Sequence, residues 1–228
     1  MYKVLLVEDN PDNCDMLCAF LNKAKCYETA VAHDAETALA LVQKETFDII
    51  LMDIMLPGMD GISLCERIRK STYCPVIFVS CLDDEETILR AFSMGGDDYI
   101  TKPFRYAVLC AHMEAVLRRF YQSKLEASGD IRIGDMVLSV EQHAVIKGGR
   151  TINLSTIEFD ILRFLASNPN RTLRFDDIYR NVWKQDSYGD FRTVFTHVRN
   201  LRKKIEDDPS APRYIITVAR DGYLLKLD

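Results

Sequence analysis

Residues 47–61 read FDIILMDIMLPGMDG and combine a buried strand, a turn and the start of a helix. The run from Phe47 to Met52 is almost wholly apolar, which is typical of a strand buried on both faces of a parallel sheet. Leu56-Pro57-Gly58 predicts a turn, and apolar residues at helical spacing follow it. The strand ends at Asp53, so a carboxylate is expected at its carboxyl end.

The same alternation of strand and helix extends to both sides of this segment. Lys3 to Val7, Pro75 to Val79 and Tyr99 to Thr101 predict further strands. Asn10-Pro11 predicts a helix start, because Asn caps the first-turn amides and Pro suits the first helical position. Strands that alternate with helices predict a doubly wound α/β domain with a parallel sheet covered on both faces.

Polar residues stand at the carboxyl ends of four of these strands, where such sheets bind their ligands. They are Glu8, Asp9, Asp53, Ser80 and Lys102. Three neighbouring carboxylates repel one another unless a cation is present, and Mg²⁺ suits an oxygen-ligand site that also handles phosphate. A lysine and a hydroxyl facing the carboxylates are typical phosphate ligands. An Asp carboxylate can attack a phosphoryl group and hold it as an acyl phosphate.

The 228 residues suit two domains, and their net charge of −5 conceals an uneven distribution. Residues 1–122 carry 12 basic and 19 acidic residues, whereas residues 123–228 carry 17 basic and 15 acidic residues. All seven cysteines lie in the first part without a Cys-x-x-Cys pair, as expected of reduced thiols. No apolar run approaches the ~18 residues of a membrane span, and no signal peptide is recognisable. We therefore expect a cytoplasmic protein without a membrane partner.

Periodicity changes after residues 122–129, a polar segment that predicts a linker between a domain at 1–121 and a domain at 130–228. Beyond this linker, short strands joined by turn signals such as Gly148-Gly149 predict antiparallel sheet. Ser155 and Glu158 have the spacing of a capping box at a helix start.

Two further helices and a hairpin complete the second domain. The helices are expected at about Phe175 to Trp183 and about Phe191 to Glu206, and Asp221-Gly222 predicts the hairpin turn. The last helix has no acidic residue from Arg192 to Lys204, and its basic residues predict DNA binding.

The first domain resembles the receiver domains of two-component systems, and the resemblance covers residues 1 to about 121. It is carried by Val7-Glu8-Asp9, the motif from Asp53 to Gly61, Ser80, and Asp97 to Phe104. The resemblance implies a flavodoxin-like fold of five strands. It also implies that a sensor histidine kinase phosphorylates Asp53, that Lys102 contacts the phosphoryl group, and that Ser80 and Tyr99 form a switch pair. Mg²⁺ would be bound by Glu8, Asp9, Asp53 and the carbonyl of Met55.

The second domain resembles the winged-helix DNA-binding domain of OmpR/PhoB-type response regulators, an α+β helix-turn-helix fold. The motifs that support this resemblance include Leu154 to Leu162, Val182-Trp183, Arg192 to Lys204 and Gly222-Tyr223. The resemblance implies that the third helix enters the major groove and the wing touches the minor groove. The implied DNA contacts are Trp183, Arg192, Thr193, His197, Arg199, Asn200, Arg202, Lys203 and Arg220.

The family pattern further implies a receiver homodimer on direct-repeat promoter sites, with RNA polymerase as another partner. The implied dimer face comprises Ile88, Leu89, Phe92, Asp98, Val108, Ala111, His112 and Arg119. Ile88 stands where the family often has a basic residue, Val108 where it has Glu, and His112 where it has Arg. We therefore expect a more hydrophobic dimer face than usual, formed in part without phosphate.

Other departures concern the DNA-binding residues. Ala219 occupies the position of the family's wing Arg, and Arg220 occupies that of a Gly, which tolerates a positive φ more readily than Arg does. Phe195 replaces an Asp that is usual in the recognition helix.

Two alternative functions remain open. The first is a regulator that works largely without phosphorylation, as a constitutive dimer or through a thiol such as Cys81, or through a metal held by Cys14 and Cys18. The second is a phosphatase of the haloacid dehalogenase type, which also uses an Asp nucleophile with Mg²⁺. It needs a second Asp two residues later as general acid, and Met55 at that position argues against it.

Overall fold

The computed structural model describes residues 1–125, 129–184, 187, 189 and 191–227, and the chain divides into two compact units, Met1–Phe120 and Tyr121–Asp228. The elements of the first unit, in chain order, are β1 (Tyr2–Val7), α1 (Pro11–Lys23), β2 (Tyr27–Ala32), α2 (Ala35–Lys44), β3 (Ile49–Met52), α3 (Gly61–Ile68), β4 (Val76–Ser80), α4 (Glu85–Ser93), β5 (Asp98–Thr101) and α5 (Tyr106–Leu125). The five strands form one parallel sheet in the order β2-β1-β3-β4-β5, which confirms the predicted flavodoxin-like fold.

The strands of the first unit are buried as their composition predicts. All four residues of β3 and all five of β4 are buried. On one face, Leu5, Ile50 and Phe78 pack into a core with α2, α3 and α4. Elsewhere, α1 lies beside α5, where the rings of Phe20 and Tyr106 stack at 4.4 Å.

Strand β2 was not predicted, because its sequence YETAVA has no continuous apolar run. It lies at the edge of the sheet and pairs only with β1 in the strand order, so several of its side chains are merely half-buried. Edge strands bury less surface than central ones, and their sequence signal is correspondingly weak.

A buried ion pair joins the ends of α3 and β5. Arg69 Nη2 lies 2.7 Å from Asp97 Oδ2, and the same oxygen accepts the backbone N–H of Val76 at 2.9 Å. Arg69 also donates to the carbonyl oxygens of Gly95 and Cys74. All three guanidinium nitrogens of Arg69 donate hydrogen bonds, and the pair fixes the entry to β4 and β5, whose other ends carry Ser80 and Lys102.

The described residues of the second unit form three further helices and two antiparallel sheets. Its elements are β6 (Ile131–Ile133), β7 (Met136–Ser139), β8 (Ala144–Lys147), β9 (Arg150–Asn153), α6 (Thr156–Ala166), β10 (Thr172–Arg174), α7 (Phe175–Trp183), α8 (Arg192–Ile205), β11 (Ile215–Val218) and β12 (Gly222–Leu225). Strands β6 to β9 form a four-stranded meander, and the second sheet has the order β10-β12-β11. These elements confirm the predicted helices, the capping box at Ser155 and the terminal hairpin.

Two differences from the expected boundaries concern short segments. Strand β10, which was not predicted, has only three residues and pairs with β12. Helix α5 runs to Leu125, through the first four residues of the predicted linker 122–129. Residues 126–128 of that linker lie outside the described residues. None of the helices described is both long and apolar enough to cross a membrane.

Candidate functional site

The carboxyl ends of β1, β3 and β5 bring three charged side chains together. Lys102 Nζ lies 2.5 Å from Asp53 Oδ2 and 2.7 Å from Glu8 Oε2. Both carboxylates are nearly buried, at 7% and 3% exposure for Asp53 and Glu8. Burial alone would lower the pKa of Lys102, but its hydrogen bonds to the two carboxylates raise it above the usual value. Lys102 is therefore a permanent cation at this edge of the sheet.

Backbone geometry next to Asp53 depends on a glycine. The amide of Met55 donates to Asp53 Oδ1 at 2.9 Å, and the amide of Gly61 donates to the carbonyl of Ile54 at 2.9 Å. A Cβ at Gly61 would collide with the carbonyl oxygen of Asp53. The close approach of α3 to the end of β3 therefore requires glycine at position 61.

Glu8 is held by residues that sequence reasoning missed. Asn13 Nδ2 on α1 donates to Glu8 Oε1 at 2.8 Å. His33, at the end of β2, has Nδ1 3.1 Å from the backbone carbonyl of Glu8. His33 is 25 residues from Glu8, and Asn13, five residues after Glu8, has no feature in the sequence pattern that marks it as a partner. Such partners orient a carboxylate, as supporting shells do in other charged sites.

The donor set fits Mg²⁺, which is commonly bound through one or two carboxylates and keeps several waters. Glu8 and Asp53 supply two adjacent carboxylates. Asp9 follows on the exposed side, and no three His, Cys, Asp or Glu side chains form a metal-binding group among the described residues. That finding also gives no support to a metal held by Cys14 and Cys18.

The two proposed switch residues lie at the ends of β4 and β5. The Ser80 hydroxyl is fully buried and accepts the amide of Leu82 at 3.5 Å. The Tyr99 hydroxyl donates to the carbonyl of Leu82 at 2.6 Å. Burial raises the pKa of Tyr99, which keeps the phenol protonated. Both side chains thus converge on the loop that follows β4.

The predicted dimer face is only partly accessible. Val108 and Ala111 are exposed, Ile88 and Leu89 are half-buried, and Asp98 pairs with His112. Phe92 and Arg119 are only 8% and 9% exposed, so their part in a dimer contact stays a prediction. Phe92 contributes to the core, and Arg119 lies on the buried side of α5.

The cysteines differ in exposure and therefore in their suitability for thiol chemistry. Cys14 Sγ lies 3.7 Å from His33 Nδ1, and burial raises the pKa of its thiol to about 11. Burial also raises the pKa of Cys110. Since the thiolate is the reactive form, these two residues are poor sensors. Cys81 beside Ser80 is exposed.

Helix α8 presents a basic exposed face in the second unit. Arg192, Arg199 and Lys203 are exposed, and the helix contains no acidic residue. Thr193 is half-buried, and Asn200 is 6% exposed. Trp183 is also half-buried, and its ring stacks on Tyr179 at 4.9 Å.

Two of the predicted DNA contacts, His197 and Arg202, pack against other parts of their own domain. His197 is fully buried, with its ring 5.9 Å from that of Trp183, and this burial does not support its prediction as a DNA contact. Arg202 donates to the carbonyl of Ile215 and to Thr217 Oγ1, and its guanidinium lies 5.4 Å from the centre of the Tyr223 ring. Arg202 therefore ties α8 to the wing.

A third basic residue of α8, Lys204, also pairs with a residue of its own domain. Its Nζ lies 2.6 Å from Glu158 Oε2, the carboxylate of the capping box that begins α6. Of the six basic residues predicted on this helix, three contact the rest of the domain and three are exposed. The first three are His197, Arg202 and Lys204, and the exposed ones are Arg192, Arg199 and Lys203.

The wing turn places Arg220 in a backbone conformation that usually requires glycine. Its φ is +63°, the left-handed region that favours glycine. The side chain is exposed at the tip between β11 and β12. At the base of the wing, a Cβ at Gly222 would collide with the carbonyl of Leu173, which explains the glycine there.

Comparisons with known proteins agree with both units. Residues 4–114 match the response regulator receiver domain, and residues 149–225 match the C-terminal domain of transcriptional regulatory proteins. A two-component response regulator from Clostridium difficile shares 34% identity over 52% of this chain and 98% of its own, with a TM-score of 0.51. The OmpR/PhoB homolog DrrB from Thermotoga maritima shares 30% identity over 99% of both chains, with a TM-score of 0.49. A mutant of RitR shares the fold over 99% of both chains, with 23% identity and a TM-score of 0.85.

Proposed function

We propose, because this chain belongs to the OmpR/PhoB-type response regulators of two-component systems, that it is a transcription regulator whose DNA binding is controlled by phosphorylation of Asp53. The observation that carries the proposal is the cluster of Asp53, Glu8 and Lys102 in a chain that also exposes the acid-free face of α8.

The receiver chemistry follows from the strand-end cluster. An oxygen of Asp53 attacks the phosphorus of a phosphohistidine on a sensor kinase; an O–P bond forms, the P–N bond breaks, and the imidazole leaves with the electron pair. Lys102 stabilises the added negative charge. Glu8, Asp9, Asp53 and the carbonyl of Met55 would hold Mg²⁺, which when bound neutralises charge on the phosphoryl oxygens.

The phosphoaspartate acts as a stored signal rather than a catalytic intermediate. A phosphatase of the haloacid dehalogenase type needs an acid two residues after the nucleophile. Met55 occupies that position, its side chain is 59% exposed, and a thioether has no proton to donate. We therefore assign the chain a regulatory and not an enzymatic role.

The switch connects Asp53 to the dimer face through Ser80 and Tyr99. We expect the Ser80 hydroxyl to contact the phosphoryl group and to take the loop at Leu82 with it. Because Tyr99 hydrogen-bonds to Leu82, movement of that loop changes the surface formed by α4, β5 and α5. The accessible residues of this surface, Ile88, Leu89, Asp98, Val108, Ala111 and His112, would then form the homodimer contact.

DNA recognition is assigned to α8 and the wing. Arg192, Arg199 and Lys203 would meet phosphates or base edges in the major groove, with Thr193 and Trp183 close to the DNA backbone. Arg220 at the wing tip would reach the minor groove. Two such domains in a dimer would bind direct repeats at a promoter. There the dimer would contact RNA polymerase and regulate transcription.

One observation favours the second candidate, a dimer that forms without phosphate. Val108 is 42% exposed on the predicted dimer face, where an apolar residue gains from burial without a salt-bridge partner. The two candidates predict different behaviour when Asp53 cannot be phosphorylated.

The test compares the full chain with Asp53→Asn, each with and without beryllium fluoride as a phosphoryl mimic, on DNA selected from a random duplex pool. Control by phosphorylation predicts that the mimic tightens DNA binding and dimerisation of the wild type and leaves Asp53→Asn unchanged. Equal DNA binding by all four samples would overturn that control and favour the constitutive dimer. An Arg199→Ala control shows whether binding uses α8.

A further inference from the structure

We propose that Phe195 reads a thymine in the DNA site, through contact between its ring and the C5-methyl group of that base. The inference rests on the proposed function and extends it from DNA binding in general to the identity of one base pair. It starts from an aromatic ring that is 42% exposed in the first turn of α8.

The charges around this ring indicate what covers it. Arg192 precedes Phe195 by three residues and Arg199 follows by four, so all three lie on one face of the helix. Both arginines are exposed, and α8 carries no acidic residue. A surface in which an apolar ring lies between cations matches a polyanion that also offers apolar groups. The major groove of DNA has this composition, because phosphates border it and thymine methyl groups project into it.

The Phe195 ring is also held in place before any ligand binds. It meets the ring of Phe175 edge to face, with centroids 5.0 Å apart and planes at 79°. Phe175 in turn makes an edge contact with Tyr223 on the wing strand β12, at 5.4 Å. Because Arg202 covers the same Tyr223 ring, the exposed edge of Phe195 is positioned by packed neighbours rather than free in solution. Such preorganisation lowers the entropy lost on binding.

The chemistry of the contact is specific to one base. Among the four bases only thymine carries a methyl group at the major-groove edge, and phenylalanine cannot accept or donate the hydrogen bonds that the other bases offer. An acidic residue at this position would instead accept from the cytosine amino group or repel phosphate. Phe195 therefore selects thymine by an apolar contact.

The test removes only the methyl group. The full chain, activated with beryllium fluoride, selects binding sites from a random duplex pool, and each thymine of the selected site is then replaced in turn by deoxyuridine. We expect one such position in each half-site to weaken wild-type binding about fourfold, the factor that corresponds to ~0.8 kcal/mol for a buried methyl-sized group. The same replacement should have no effect on Phe195→Ala.

Control variants separate recognition from folding. Lys203→Ala should bind more weakly to every sequence and still distinguish thymine from deoxyuridine. If Phe195→Ala unfolds, the wild-type comparison of the two DNAs still tests the proposal. Retention of thymine discrimination by folded Phe195→Ala, or a wild type indifferent to every replacement, would overturn it.

The outcomes also separate this inference from the proposed function. Sequence-selective binding that depends on Arg199 but not on any thymine methyl would leave the proposed function intact and remove the role of Phe195. Loss of transcription by Phe195→Ala at unchanged DNA affinity would also overturn the inference, because it would assign the ring to a protein partner. A wild type without selective DNA binding would contradict the proposed function itself.

Discussion

His112 Nδ1 on α5 lies 2.7 Å from Asp98 Oδ2 on β5, so the two residues pair within one chain on the predicted dimer face. The hydrogen bond to Asp98 raises the pKa of His112 above its usual value, against the opposing effect of burial. Asp98, a member of the predicted dimer face, is thereby engaged by a titratable residue of the same subunit.

This pair predicts a pH-dependent contribution to stability. Because the folded-state pKa of His112 is raised, the contribution is complete below the unfolded-state value of 6.5 and is lost as pH rises through the folded-state value. Both side chains are partly exposed, so the effect should be small and should weaken with salt. Titration of the His112 ring by NMR should show a lower pKa in Asp98→Asn and no change in the control Asp83→Asn. An unchanged His112 titration in Asp98→Asn would contradict the pairing.

Loss of the buried Asp97 carboxylate should destabilise the receiver strongly. Asp97→Ala leaves Arg69 buried without its counter-ion, which typically costs about 3–5 kcal/mol in the free energy of unfolding. The neighbouring Asp98→Ala is the matched control and should cost about 1 kcal/mol or less, because its pair is partly exposed. Denaturant unfolding of the two variants gives the comparison, and equal losses would refute it.

Replacement of Lys102 by methionine should destabilise the chain at neutral pH, because Glu8 and Asp53 would face each other without a cation. Removal of one partner from a buried charge cluster typically costs about 3–5 kcal/mol. The double variant Lys102→Met/Glu8→Gln should recover part of that loss, since it removes one of the two opposed charges. Unfolding free energies that are simply additive for the two changes would argue against direct coupling.

The wing tip offers a test of backbone strain. Arg220 has a φ of +63°, which costs roughly 1–2 kcal/mol for a residue with a Cβ, so Arg220→Gly should raise the free energy of unfolding by about 1 kcal/mol. Ala219→Gly is the control, because Ala219 is not among the residues with positive φ, and it should give no gain. The same Arg220→Gly change should weaken DNA binding, so stability and affinity move in opposite directions.

The two arginines of α8 should behave in different ways. Arg199→Ala should leave the free energy of unfolding within about 0.5 kcal/mol and reduce the salt dependence of DNA binding by ~0.9, the value for one lost phosphate contact. Arg202→Ala should lower stability instead, because it removes hydrogen bonds to Ile215 and Thr217. If both variants changed stability and the salt dependence of DNA binding in the same way, the assignment of Arg202 to domain stability and of Arg199 to DNA contact would be contradicted.

Much of the architecture follows from local patterns in the chain. Apolar runs that end at Glu8, Asp53 and Ser80 predict buried parallel strands, and the carboxyl ends of such strands meet at one edge of the sheet. The capping box at Ser155 and the hairpin turn before Gly222 similarly depend on residues that are close in sequence. Where a strand is central or a cap is local, the physical cause lies within a few residues.

Side chains at the border between a buried stripe and the surface behave differently. On α8, His197 and Arg202 adjoin the apolar positions Val198 and Leu201, and periodicity does not distinguish them from Arg199. His197 is buried against Trp183, and Arg202 is drawn to the wing by the Ile215 carbonyl, which comes 13 residues later. The packing of distant segments also places His33 beside the backbone carbonyl of Glu8, which comes 25 residues earlier. These features depend on contacts between residues far apart in the chain, and burial and hydrogen bonding at such contacts arise only when the domain is assembled.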